Sequence, residues 1–314
     1  MRAFRLILSP SCGGRKFFHR ADFYDFFRRS LFFFFCFLMI FGSDLIVKAD
    51  PPRTAPGTNW SLVWKDDFNG SSIDTNYWNV FSRNKGWGSE KYRPGQVTVA
   101  NGICTFTAVK EGNDYWSGGL TNRGKKGVIS YGYYEMHCKL PLWTGGQWAA
   151  FWLVGCNGNW MPEFDIVDGT NWGNNCFFTN PHWRDSIGAH KQVGFNACPE
   201  GGNITADFHT YGFLWTKDSC VWYFDNKKIR YWKTDPMIPD CPNPIILNFE
   251  MGGWGGRTIA DSTLPWTMKI DWVGVWKIEK TATSNTINSF RQQCVPKLSH
   301  RAHSLSHLTG YLEP

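Results

Sequence analysis

An all-β fold, two antiparallel sheets packed as a sandwich of jelly-roll type, is predicted by three observations on this 314-residue sequence. Short runs of period-two patterning, rich in Thr, Val and aromatics, recur between residues 60 and 280. Turn residues, among 32 glycines and 16 prolines, separate them. No segment sustains a helical period and no internal repeat interrupts the region, which leaves one continuous β domain.

The segments follow in order. Residues 1–49 read as a leader: an apolar block at 31–42 follows Arg28-Arg29 directly. That block has the length of a signal-peptide hydrophobic region and is short for a bilayer. Val47-Lys48-Ala49 supplies small-residue cleavage chemistry, so the mature chain is expected to begin near Asp50. The stretch ahead of the block is long for such a peptide, and an uncleaved anchor is the alternative. Within the domain, 50–280, strands are predicted around 96–99, 104–109, 131–140, 219–224 and 268–276. Asp225-Asn226 reads as the turn of a hairpin. Residues 281–314 form a polar tail, expected to wrap loosely or stay unstructured, with His300, His303 and His307 as solvated groups rather than a metal shell.

The net charge of +7 does not sit on the domain. Residues 1–49 carry eight Lys/Arg against three acids, 281–314 carry three against one, and 50–280 carry twenty-two of each. A nucleic-acid-binding domain would hold the excess on its own surface, so nucleic acid is excluded as the expected partner. After signal cleavage no membrane partner is expected either, and the chain is expected to act as an extracellular monomer. All eighteen tryptophans fall between Trp60 and Trp276. Tryptophan offers a broad apolar face, and about half of these are expected in the core, the rest free for a ligand.

Ten cysteines are present, two of them, Cys12 and Cys36, in the leader. The remaining eight, Cys104, Cys138, Cys156, Cys176, Cys198, Cys220, Cys241 and Cys294, are an even number and favour disulfides in a secreted chain. No Cys-x-x-Cys pair suggests zinc. Sequons at Asn59, Asn69 and Asn203 agree with secretion.

The chemistry concentrates in Glu163-Phe164-Asp165-Ile166-Val167-Asp168. On a strand, Glu163 and Asp165 share a face while Phe164 and Ile166 take the other. Strict alternation would send Asp168 among the apolar side chains, where an unpaired carboxylate costs several kcal/mol. A β-bulge at Ile166-Val167 resets the phase and brings all three acids to one face. Three adjacent carboxyls repel one another, so at least one should keep its proton near neutrality. A retaining glycosidase uses that asymmetry, with one carboxylate as nucleophile and a protonated one about 5–5.5 Å away. An exposed acidic face, or a set of cation ligands, is the plainer reading of the spacing alone.

Beyond the spacing, Glu-Phe-Asp-Ile-Val-Asp resembles the Glu-x-Asp-x-x-Glu motif of glycoside hydrolase family 16, in the bulged form of its laminarinase-like (endo-1,3-β-glucanase) branch. The resemblance extends over about 60–280, through the segments starting at Leu62, Ser117, Tyr131, Gly146, Phe208 and Ile246. It implies a curved, concanavalin A-like jelly-roll with a concave glycan cleft, acting on β-glucan without a required cofactor. It implies Glu163 as nucleophile, Asp165 as assisting acid and Asp168 as acid/base, with water or a second sugar as acceptor. Asp168 departs from the pattern: aspartate is one methylene shorter than glutamate, a retreat of about 1.5 Å. A β-glucan-binding recognition protein is the competing reading, since such relatives lose catalytic carboxylates.

The resemblance also implies sugar contacts at Trp148, Trp152, Trp160, His182, Glu90, Asn248 and Trp254, with Trp172 nearby. His182 would steady the third carboxyl, Glu90 would lie at the cleft edge, and the arginine often found at Gly119 is absent. Asp271 resembles a position that helps bind structural calcium in relatives. Glu250 replaces a residue that is usually small, and is expected at the rim or in an ion pair rather than supplementing Asp168.

Overall fold

The period-two runs become strands at every place the sequence marks them: Val97–Ala100, Ile103–Glu111, Gly132–Lys139, Ser219–Phe224 and Trp266–Ile278. The computed structural model describes residues 59–279, apart from Asn157 and Asn171. The leader and the tail, with Cys12, Cys36, Cys294, His300, His303 and His307, lie outside the described residues. The described part falls within the unit 50–314, and no helix in it is long and apolar enough to cross a membrane.

Among the described residues, ten strands form one sheet and eight form the other. The central order of the smaller sheet is Phe177–Arg184, Glu163–Asp168, Gln147–Leu153, Ile245–Met251, Gly119–Thr121, each antiparallel to its neighbour. The larger sheet runs Lys227–Lys233, Ser219–Phe224, His209–Trp215, Gly132–Lys139, Trp266–Ile278, Ile103–Glu111 through its middle. Asp225 and Asn226 take φ of 43° and 68° at the predicted hairpin. Two successive left-handed residues match the right-handed twist of the flanking strands, and Asp and Asn tolerate that conformation best among non-glycine residues.

Between the sheets lies one apolar core, joining Phe151, Leu153, Phe164, Leu247 and Phe249 of the smaller sheet to Met136, Phe213, Trp215 and Trp222 of the larger. Phe164 stands 4.9 Å from Trp215 and 5.4 Å from Phe213, centroid to centroid. Each such ring, fully buried, contributes roughly 1.5–3 kcal/mol. Because alternation sends these side chains inward, the polar members of the same strands must face out of the smaller sheet. That outer face carries the cleft.

The cysteines only partly follow the expectation. Cys156–Cys241 and Cys176–Cys198 are bridged, while Cys104, Cys138 and Cys220 are free and buried. Register is the reason: Cys104 and Cys138 flank Ile270 from opposite sides, so a whole strand separates them. The free thiols pack as small apolar groups.

Candidate active site

Register across the Glu163–Asp168 strand shows the bulge directly. Phe164 and Asp165 pair with Leu153 and Trp152, and then Val167, not Ile166, pairs with Phe151. The extra residue lets Ile166 and Val167 both enter the core, at 1% and 0% exposure, and returns Asp168 to the face of Glu163 and Asp165. The Trp222 indole N–H crosses from the other sheet to donate to the Asp165 carbonyl at 3.0 Å, next to the irregularity. The spacing argument therefore holds.

Above this strand opens a cleft of about 550 Å³. Its floor holds Glu163, Asp165 and Asp168, and its walls include Trp87, Trp148, Trp152, Trp160, Trp254, His182 and Glu250. Trp160 Nε1 donates to Glu163 Oε2 at 2.6 Å, and Trp148 Nε1 donates to Asp168 Oδ1 at 2.6 Å. His182 Nε2 lies 3.2 Å from Asp165 Oδ2 and 3.5 Å from Glu163 Oε1. His182 Nδ1 meets His190 Nε2 at 2.9 Å, with the two rings stacked. His182 thus bridges the first two acids, whereas Trp148 holds the third.

Burial first, then the Asp165 charge, pushes Glu163 up to about 9, against the pull of His182 and the Trp160 N–H. Burial and Asp168 raise Asp165 well above the ordinary carboxylate range. Burial raises Asp168 too, opposed by the Trp148 hydrogen bond and by His182. His182 itself is lowered by burial, with Glu163 and Asp168 acting the other way. The row cannot carry three charges, so protons are shared along it. That is the condition for pairing an ionised nucleophile with a protonated donor.

Glycine fixes the Trp148 clamp. Gly169 has φ of 72°, and a Cβ on it would stand 3.2 Å from the Trp148 ring. Gly253 has φ of 56°, and a Cβ there would reach 2.9 Å from the same indole. Conformation favours glycine at both positions, and at Gly253 the space beside the indole does so as well.

Two expected sugar contacts take a different place. Glu90 is 1% exposed, its oxygens occupied by the N–H groups of Trp87, Gly88 and Met251. It folds the cleft-edge loop rather than facing the cleft. Asn248 is fully buried: Oδ1 accepts from Trp152 Nε1 at 2.8 Å, and Nδ2 donates to Tyr92 Oη and to Glu250. It orients Trp152 and Glu250 from below. Asp271 pairs with His137 Nδ1 at 2.7 Å, a nitrogen partner rather than one of the six or more oxygens calcium takes. These residues do not fit a calcium site. Among the described residues, the group with metal-ligand spacing is Glu163, Asp165 and His182, within 4.8 Å of one another. At Gly119 an added Cβ would strike Phe81 at 2.5 Å, so no arginine fits there.

Other wall residues were not read from the sequence. Asn180 and Phe178 line the cleft, and Asn180 pairs with Asp165 in register. Counting back by two from His182 would have found both. Gln192 and Gly194 sit on a short segment folded against that strand, and only tertiary pairing places them. Glu250 turns out 2% exposed and lines the cleft, in none of the ion pairs among described residues. Its Oε2 lacks a hydrogen-bond partner. An orphaned buried polar atom costs roughly 1–3 kcal/mol.

A two-sheet jelly-roll with a row of carboxyls on a bulged strand, roofed by tryptophan, defines a polysaccharide-processing class of protein. Residues 89–274 match the family model of glycosyl hydrolases family 16, and the chain belongs to that family. It is 32% identical over 197 residues to the endo-1,3-1,4-beta-glycanase ExsH of Rhizobium meliloti, covering 58% of this chain and 40% of that protein. Against glucan endo-1,3-beta-glucosidase A1 of Niallia circulans it is 28% identical over 276 residues, 74% of this chain and 40% of the relative. The chain thus spans about two fifths of the length of these curated relatives. The laminarinase catalytic domain from Thermotoga maritima superposes with a TM-score of 0.61 at 28% identity, over 71% of this chain and all of that domain.

Proposed function

We propose that this protein is a secreted, endo-acting β-glucanase that cleaves β-1,3-glucan, and mixed 1,3/1,4-glucan, by double displacement. One observation carries the reading: the bulge sets Glu163, Asp165 and Asp168 in one row on a tryptophan-walled cleft floor. In the first step a Glu163 oxygen attacks the anomeric carbon while Asp168 gives its proton to the departing oxygen, leaving a glycosyl ester on Glu163. In the second, Asp168 takes a proton from water, whose oxygen displaces Glu163 and frees the sugar. Asp165, between them, shares the proton load, and His182 steadies it with Glu163. Trp148 and Trp152 offer apolar faces to the C–H surfaces of the sugar rings.

Supporting export are the Cys156–Cys241 and Cys176–Cys198 bridges, which persist in oxidising compartments, and the exposure of Asn59, Asn69 and Asn203 at the sequons. The short Asp168 favours a second reading, a β-glucan-recognition protein with little turnover. Reducing-sugar release from laminarin separates them: release that vanishes in Glu163→Gln supports the hydrolase. Binding without release, unchanged by that substitution, supports recognition alone.

A further inference from the structure

Glu250 stands outside the roles given above. It lies on Ile245–Met251, facing Trp148 in register, two strands from the carboxyl row. In the next row Ala150 is paired with Asn248 on one side and Asp168 on the other. Alanine keeps the floor low there, so that Glu250 and Asp168 border the same hollow. Asn248 Nδ2 occupies Glu250 Oε1, and Oε2 is buried with no partner. The carboxyl lines the cleft with one oxygen held from below and the other unmatched but shielded from solvent, so a ligand group that completes it must displace the side chains covering that oxygen.

We propose that Glu250 recognises the glucan, its free carboxyl oxygen meeting a ring hydroxyl of the sugar that lies over Ala150 beside Asp168. This deepens the glucan-cleaving reading and rests on it, adding a specificity-determining contact. Trp87, Trp152 and Trp254 wall the same space, so a sugar ring can stack on an indole in the cleft that Glu250 also lines. Burial first, then Glu90, raises Glu250 well above the usual carboxylate range; Asp168 adds to this, and Asn248 and Arg83 oppose it. Tyr92, which shares the Asn248 amide with it, is a further titratable group beside it, its own ionisation opposed first by burial and then by Glu250. A neutral Glu250 whose Oε1 accepts from Asn248 presents its O–H at Oε2, as a donor to the sugar. A site built around a hydroxyl rejects the analogue lacking it by about 10⁴- to 10⁵-fold, and an isolated contact reaches a part of that.

The test uses the full chain carrying Glu163→Gln, so that the probe is not consumed, and measures calorimetric binding of laminarihexaose. Glu250→Met, similar in volume and apolar, is expected to weaken binding about 10- to 100-fold. Glu250→Gln keeps both a donor and an acceptor and is expected to stay within about threefold at neutral pH. Binding by the Glu250 parent should fall more steeply with rising pH than binding by the Gln variant, since Asp165, Asp168 and His182 titrate in both and only Glu250 differs; this arm decides the matter if the Met variant does not fold. Equal affinities for all three, or parallel pH profiles, would overturn the proposal. Hydrolysis by the wild-type chain together with Glu250-independent binding defeats this inference alone. Glu250-dependent binding without hydrolysis defeats the hydrolase reading alone.

Discussion

The two ends of the carboxyl row are held alike and equipped differently. Glu163 and Asp168 each accept an indole N–H at 2.6 Å. At the Glu163 end the donor is Trp160, 50% exposed, with His182 and His190 stacked nearby. At the Asp168 end the donor is Trp148, seated against Gly169 and Gly253. In the proposed mechanism the end with the exposed indole carries the full-length nucleophile, and the end with the glycine-packed indole carries the shortened acid. A donor one methylene short depends on how closely the substrate approaches it, whereas the nucleophile keeps its full reach. In the proposed mechanism, the contrast makes proton delivery rather than attack the expected weak step.

Breaking the Glu163 end should have the largest effect: Glu163→Gln is expected to lower kcat by about 10⁴-fold or more, read as reducing-sugar release. At the other end, Asp168→Asn should cost about 10²–10⁴-fold, the usual worth of a positioned acid. Asp168→Glu restores the missing methylene and should raise kcat by about 10- to 100-fold, since an ångström of misplacement costs that much. A drop on lengthening would mean that the strand is already tuned to aspartate.

The clamps differ in pH response. The cluster is raised as a whole, so both limbs of the kcat/KM profile should lie above the ordinary carboxylate range, as apparent values of the row. Trp160→Phe removes a donor that favours ionised Glu163, so the acid limb should move to higher pH, by about one unit. Trp148→Phe should instead move the alkaline limb upward, because Asp168 then keeps its proton longer. The smallest effect is structural. Trp222→Phe leaves the Asp165 carbonyl without its indole donor, and should cost about 1–3 kcal/mol of stability in denaturant unfolding.

Much of this arrangement was legible in the amino-acid order because alternation is a local rule. Acids at 163, 165 and 168 with apolar residues between them admit one economical geometry, and the bulge at Ile166 is that geometry. The hairpin at Asp225-Asn226 was legible for the same reason. What lay hidden depends on contacts between distant segments. Glu90 and Asn248 look like polar cleft residues until a loop and a neighbouring tyrosine take up their polar atoms. Cysteine parity could not show that Cys104 and Cys138 lie on either side of another strand. Glu250 read as an ordinary charged rim residue, because nothing in its immediate neighbours reveals that it is buried beside Glu90.

The central claim, that Glu163 attacks while Asp168 serves the leaving group, is tested most directly by trapping the covalent intermediate. An activated 2-deoxy-2-fluoro β-glucan oligosaccharide should glycosylate one carboxyl, expelling its leaving group, and the modified residue is located by mass spectrometry of the digested chain. A single glycosyl ester on Glu163, accumulating faster with an activated leaving group even in Asp168→Asn, is the predicted result. An ester on Asp165, Asp168 or Glu250, or turnover with inverted anomeric configuration and no ester, would contradict it.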